Sequence, residues 1–101
     1  MQRLTPLAPL ILGLVAFTAH VAPFAYVPNE KSGTVSVIDT SNDQVVADIK
    51  AGDKPRGLAA SKDGKRLYVS CSNSVSVIDK ESNTVLKEVP VGELPWGVVV
   101  R

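Results

Sequence analysis

Along most of this chain, short bursts of apolar residues alternate with small or polar ones, and the bursts repeat. Val35-Ser36-Val37-Ile38-Asp39 returns as Val75-Ser76-Val77-Ile78-Asp79, 40 positions later. The flanks agree. Tyr26-Val27 and Tyr68-Val69 precede the two copies, and Gly52-x-x-Pro55-x-Gly57 and Gly92-x-x-Pro95-x-Gly97 follow them. The Tyr-Val pairs are 42 apart, so the second copy is two residues shorter between Val69 and Val75, where the first carries the polar loop 29–33. A length change confined to a loop is what a repeated β-unit tolerates.

Period-two alternation bounded by turn residues predicts strands over 25–28, 34–39, 44–51, 58–60, 66–70, 75–79 and 84–91, with a further one over 97–101. In 34–39, Val35 and Val37 share one face and Ser36 and Ile38 the other. Neither face is strongly polar, as expected of a sheet covered on both sides, and the small serine lets a neighbouring sheet come close. The turns 39–43 and 79–83 are rich in Asp, Asn and Ser, whose side chains bond nearby backbone amides and end strands. Asp39 and Asp43 are therefore read as turn formers, since no Asp-x-Asp-x-Asp-Gly loop makes them a calcium site. Ser61-Lys62-Asp63-Gly64-Lys65 is the clearest hairpin signal, with Asp-Gly expected to supply the positive φ of a tight turn.

A period near 40 made of short strands is that of a β-propeller blade, not of a helical solenoid. The predicted fold class is all-β: a partial β-propeller of four-stranded antiparallel blades, about two of them present. With strands lettered a to d from the axis outward, the chain runs b, c, d; a, b, c, d; a. Residues 26–57 give strands b–d of the first blade, 58–96 the second blade, and 97–101 the start of a third. Eight strands do not close a propeller, which takes about four to eight four-stranded blades, so the sequence reads as the amino-terminal part of a larger protein.

The first 25 residues are of another kind. Arg3 is the one charged side chain before Glu30, and 7–19 is an apolar run, of signal-peptide length and short for a bilayer crossing. Residues 1–25 are expected to be a cleaved export signal or an amino-terminal anchor, with the mature chain starting between Ala19 and Tyr26. Without Arg3 the chain has 10 Lys+Arg against 10 Asp+Glu, interspersed, which argues against nucleic acid and against membrane beyond the signal segment. Cys71 is the single cysteine, so the fold cannot depend on an internal disulfide. It reads as a small strand-end residue, because no histidine follows His20 to activate it as a nucleophile.

Tyr26-Val27-Pro28-Asn29, Val35-Ser36-Val37-Ile38-Asp39, Gly52-x-x-Pro55-x-Gly57 and Ser61-Lys62-Asp63-Gly64 together resemble the repeat of the Tyr-Val-Thr-Asn (YVTN) β-propeller family. The resemblance covers 25–101. It departs at Pro28, where the family carries Thr, and at Cys71, where the second copy would carry Asn. Membership would imply an exported bacterial or archaeal protein, such as a surface-layer protein or a propeller associated with pyrroloquinoline quinone (PQQ) dependent catabolism. Asn29-Glu30-Lys31 followed by Pro55-Arg56-Gly57 is most similar to the quinone-associated group. Distantly similar propellers carry quinone or haem chemistry, yet no residue here matches a catalytic residue of those families. PQQ or haem association is thus implied by analogy alone.

Three functions stay open on these grounds: a periplasmic or cell-surface binding or accessory scaffold, the start of a quinone- or haem-dependent oxidoreductase, and a surface-layer or adhesive protein. The sequence contains no phosphate loop, no Cys-x-x-Cys-His and no Ser-His-Asp set. Candidate ligand-binding residues are Glu30, Lys31, Arg56 and Trp96, and no catalytic or metal-binding residue is assigned. Antiparallel strands put the b–c and d–a loops at one end of the blades, where a protein or small-molecule ligand is expected to sit. Arg56 and Trp96 occupy equivalent places before the glycine that opens each inner strand, a cation beside an aromatic that suits an anionic or planar ligand. The structural alternative has Trp96 plugging the gap between inner strands and Arg56 pairing with a neighbouring acid.

Overall fold

The computed structural model describes residues 23–101, so most of the expected export segment lies outside the described residues. Seven strands form in chain order: β1 (Phe24–Asn29), β2 (Thr34–Asp39), β3 (Gln44–Lys50), β4 (Gly57–Ala60), β5 (Arg66–Ser70), β6 (Ser74–Asp79) and β7 (Thr84–Pro90). They make two antiparallel sheets ordered β1-β2-β3 and β4-β5-β6-β7. These are a blade without its inner strand and a complete four-stranded blade. The predicted strand over 97–101 does not form: no strand is assigned there, and among the described residues nothing pairs with it. An inner strand bonds only to the second strand of its own blade, which this stretch lacks.

The two blades repeat in detail as well as in outline. In both, the ladder shifts register at the same place, between Val37 and Ile38 and between Val77 and Ile78. The cause is visible in the partner strands, where Val45-Val46 and Val85-Leu86 set two apolar residues in succession. A bulge leaves Val46 and Leu86 outside the ladder, about half exposed, and restores the alternation beyond them.

The Asp-rich turns work as read. Asp39 Oδ1 accepts from the Ser41 amide (2.9 Å) and hydroxyl (2.6 Å), and Asp79 Oδ2 accepts from the Ser82 hydroxyl (2.6 Å) and amide (3.3 Å). Each turn closes on a left-handed residue, Asp43 (φ 58°) and Asn83 (φ 56°), residue types that tolerate this conformation. The serine hydroxyls, then the amides, hold the Asp39 and Asp79 carboxyls below their ordinary range. Their contribution is present above that range and lost as pH falls through the lowered values. The 61–65 hairpin differs from its expected form, because only Gly64 has positive φ (74°) while Asp63 does not. The Gly64 amide bonds the Ser61 carbonyl (3.0 Å) and the Ser61 amide the Arg66 carbonyl (2.9 Å), a type I turn ending in a glycine bulge. Asp63 Oδ1 instead accepts from the Ser61 hydroxyl and the Lys65 amide.

The core lies between the blades. Val35, Val37, Ile49 and Ala51 of the first pack against Leu67, Val69, Cys71 and Ile78 of the second, all buried. Ser76 is fully buried in this seam, and its hydroxyl donates to the Ala51 carbonyl across it. A valine there would hold the sheets apart and leave that carbonyl without its hydroxyl donor.

Candidate functional site

The b–c and d–a loops converge at one end because backbone hydrogen bonds tie them together. The Ala51 amide bonds the Gly33 carbonyl, the Ser72 amide the Asp53 carbonyl (2.8 Å), and the Val91 amide the Asn73 carbonyl. The Ser72 hydroxyl adds a bond to Asp53 Oδ2 at 2.8 Å. Lys54 (φ 55°) and Leu94 (φ 51°) take the same left-handed conformation in the two Gly-x-x-Pro-x-Gly loops. That shared bend delivers Arg56 and Trp96 to corresponding points.

Three of the four residues picked out by sequence come together here. The Arg56 guanidinium lies 4.5 Å from the centre of the Trp96 ring, and its Nη2 bonds Glu30 Oε2 at 3.1 Å. Lys31 makes no ion pair among the described residues. Arg56 therefore has the neighbouring acid that the structural alternative expects, but Trp96 plugs nothing, since its surface is 73% exposed. Its backbone is anchored instead, the carbonyl accepting from the Ser70 hydroxyl at 3.2 Å. Arg56 Nε is buried without a hydrogen-bond partner. The arrangement is a fixed cation covered on one side by an open indole face, able to take a planar or anionic group by stacking and hydrogen bonding.

The described residues contain no histidine or methionine that could ligate haem iron. Their one thiol, Cys71, is buried; burial pushes it above the ordinary range, only partly offset by its bond with Ser76. Cys71 occupies the place of Asn29 and repeats its geometry with a different polar group. Asn29 Nδ2 donates to Ser36 Oγ at 2.9 Å, whereas Cys71 Sγ lies 3.8 Å from Ser76 Oγ and 3.4 Å from the Ala51 carbonyl. PQQ carries several carboxylates, while the cluster has one guanidinium, already balanced by Glu30.

Sequence reasoning missed a second feature at the opposite end. A cavity of about 440 Å³ opens between the blades, lined by Phe24, Tyr26, the Gly64-Lys65 hairpin and the Asp79-Lys80-Glu81 turn. The Lys80 ammonium sits 5.2 Å from the centre of the Tyr26 ring. The signal available was the repeated tyrosine, Tyr26 and Tyr68, but nothing in the sequence showed that the first of them faces the next blade's turns.

Repeat, sheets and seam together define a partial β-propeller built from YVTN-like repeats. No family model matches the chain. The uncharacterized protein YncE of Salmonella typhi and that of Salmonella typhimurium (strain LT2) are each 48% identical to it over 46 residues. Those residues are 46% of this chain and 13% of the relatives, so the match spans a small part of their length. Kuenenia stuttgartiensis hydrazine synthase, a solved structure, superposes on 73% of this chain and 22% of its own, with a TM-score of 0.71 and 29% identity.

Proposed function

We propose that the chain is part of an exported propeller, periplasmic or on the cell surface, that works as a binding or accessory scaffold and holds its ligand at the Glu30–Arg56–Trp96 end. The observation that carries the reading is the exposed Trp96 ring held against Arg56, because a large aromatic left open to water on a fixed support is typical of a contact surface. The ligand chemistry it suits is a planar carboxylate or an acidic protein loop. Trp96 is the single tryptophan, so its fluorescence reports the site directly. Titration of the full-length protein with aromatic carboxylates is expected to quench it saturably, and Arg56→Ala to abolish the response. The half-exposed ion pair contributes only about 0–1 kcal/mol, so Arg56→Ala should lower the thermal midpoint little. Lost stability with unchanged binding in Arg56→Ala and Trp96→Ala would make both residues structural.

Export is the other half of the proposal. β1 starts at Phe24, and the Thr40 hydroxyl bonds the Pro23 carbonyl. Cleavage after Ala22 leaves both intact, whereas cleavage after Ala25 removes the first two residues of the strand. Amino-terminal sequencing of periplasmic material is expected to begin at Pro23; an intact Met1 would favour the anchor.

The likeness to a propeller-containing enzyme, hydrazine synthase, favours a second reading in which the propeller is part of an enzyme, such as a quinone- or haem-dependent periplasmic oxidoreductase. A visible absorbance band of haem or quinone in the purified full-length protein would decide for it.

A further inference from the structure

Ser70 is fully buried and carries a hydroxyl where the first blade has Pro28, which offers neither hydroxyl nor amide hydrogen. Its partners account for a polar group in so dry a place. The hydroxyl accepts from the Gly57 amide at 3.0 Å and faces two carbonyls, that of Trp96 at 3.2 Å and that of Gly57 at 3.3 Å. A hydroxyl has one proton, so the two carbonyls share it. The backbone of the same residue has a second task, since the Ser70 carbonyl accepts from the Arg56 amide at 3.0 Å. Cation and aromatic are thus both tied to Ser70, Arg56 by its carbonyl and Trp96 by its hydroxyl.

The two ties differ in kind. Arg56 directly precedes β4, and the pairing of β4 with β5 holds it whatever side chain stands at 70. Trp96 lies in a loop. Two residues earlier the Leu94 amide bonds the Ser72 carbonyl, and from there to Gly97 the Ser70 hydroxyl makes the one hydrogen bond on this segment among the described residues. Close contact adds to it, because the Trp96 carbonyl lies so near Gly57 that a methyl built there would overlap it. All these groups lie within residues 56–97, so the contacts stand whether or not further blades follow.

We propose that Ser70 is the positioning residue of the Glu30–Arg56–Trp96 end: its hydroxyl sets where the indole lies over the guanidinium. Without the hydroxyl, Arg56 keeps its amide bond and its pairing with Glu30, while the Trp96 ring loses its fixed place against them. The residue at this point of a blade's second strand therefore governs the loop that leads into the next blade. Pro28 cannot act in this way on the Arg56 carbonyl, so the two loops are held differently despite their shared sequence pattern. The effect on affinity rests on the reading of this end as a binding site; the effect on the ring does not.

Labelling the full-length protein with fluorotryptophan gives Trp96 its own fluorine NMR line, identified by its loss in Trp96→Phe. In the wild type that line is expected away from the position of free fluorotryptophan and as broad as the whole molecule dictates. Ser70→Ala is expected to narrow it and move it to the free position, and Ser70→Thr, which keeps the hydroxyl, to restore it. Benzoate is the probe for binding. Its dissociation constant is expected to rise about two- to tenfold in Ser70→Ala, the weight of one hydrogen bond, and to return in Ser70→Thr. A folded Ser70→Ala with an unchanged Trp96 line would overturn the proposal, and a lowered thermal midpoint beside that unchanged line would make Ser70 purely structural. A Ser70→Thr line matching that of Ser70→Ala would overturn it too. Should Ser70→Ala not fold, Ser70→Cys, of similar shape but a weak donor, takes its place in the same comparison. A wild type that does not bind benzoate would sink the binding reading instead, and the fluorine line would still decide the role of Ser70.

Discussion

Ile78→Ala is expected to destabilise the chain by about 2–5 kcal/mol, and Ile38→Ala by markedly less, although the two side chains hold the same place in the same pentapeptide. Ile78 is fully buried against the first blade, whereas Ile38 lies half-buried on that blade's open face. Truncating Ile78 removes contacts on both sides and leaves a cavity in a seam whose closeness is fixed by the Ser76–Ala51 hydrogen bond, so the sheets cannot collapse to fill it. At Ile38 the lost methyl groups were already partly wet, and the penalty reduces to the area still shielded. Equilibrium urea unfolding of the two variants reads the difference. In a longer propeller the gap should close, because a neighbouring blade would cover Ile38 as fully as the first blade covers Ile78. Equal costs in a verified monomer would show that the inter-blade seam does not dominate stability.

The contrast marks what was legible in the sequence. The repeat alone gave strand positions, the order of strands within blades and the closeness enforced by Ser76, because alternation and turn chemistry are local and each copy checks the other. Which copy of a face is buried is not local. Val27 and Val69 sit in the same Tyr-Val motif, yet one is 40% exposed and the other fully buried, and only the neighbouring blade decides. The site divides the same way. The loop closures placed Arg56, Glu30 and Trp96 at one end as the antiparallel count required. The Lys80–Tyr26 contact depends on the stagger between blades, which no periodicity encodes. The eighth strand failed for the same reason, since 97–101 has strand composition but a strand also needs a partner.

Gly57→Ala carries the second large effect, and its origin is again the approach of neighbouring inner strands. Gly57 opens β4, its amide accepted by the Ser70 hydroxyl at 3.0 Å. A methyl group built there would overlap the Trp96 carbonyl oxygen and lie 3.1 Å from the Gly97 Cα, both backbone atoms that no rotamer change can move. The φ of Gly57 is not positive, so the glycine serves close approach and not an unusual backbone conformation. Forcing a methyl into that contact should cost about 1–3 kcal/mol, or push the 96–97 segment away from the blade. Displacement of that segment breaks the Ser70–Trp96 hydrogen bond and lifts the indole from Arg56. Trp96 emission separates the two: displacement of the segment changes the fluorescence of the folded protein, whereas pure destabilisation lowers the unfolding midpoint and leaves the native spectrum alone. Gly97→Ala is the matched control, because a methyl at Gly97 meets nothing within contact distance and should be silent in the isolated chain. In a longer propeller where 97–101 pairs as an inner strand, Gly97 takes the place of Gly57 and loses that freedom, so Gly97→Ala should be silent in the isolated chain and costly in the full-length protein.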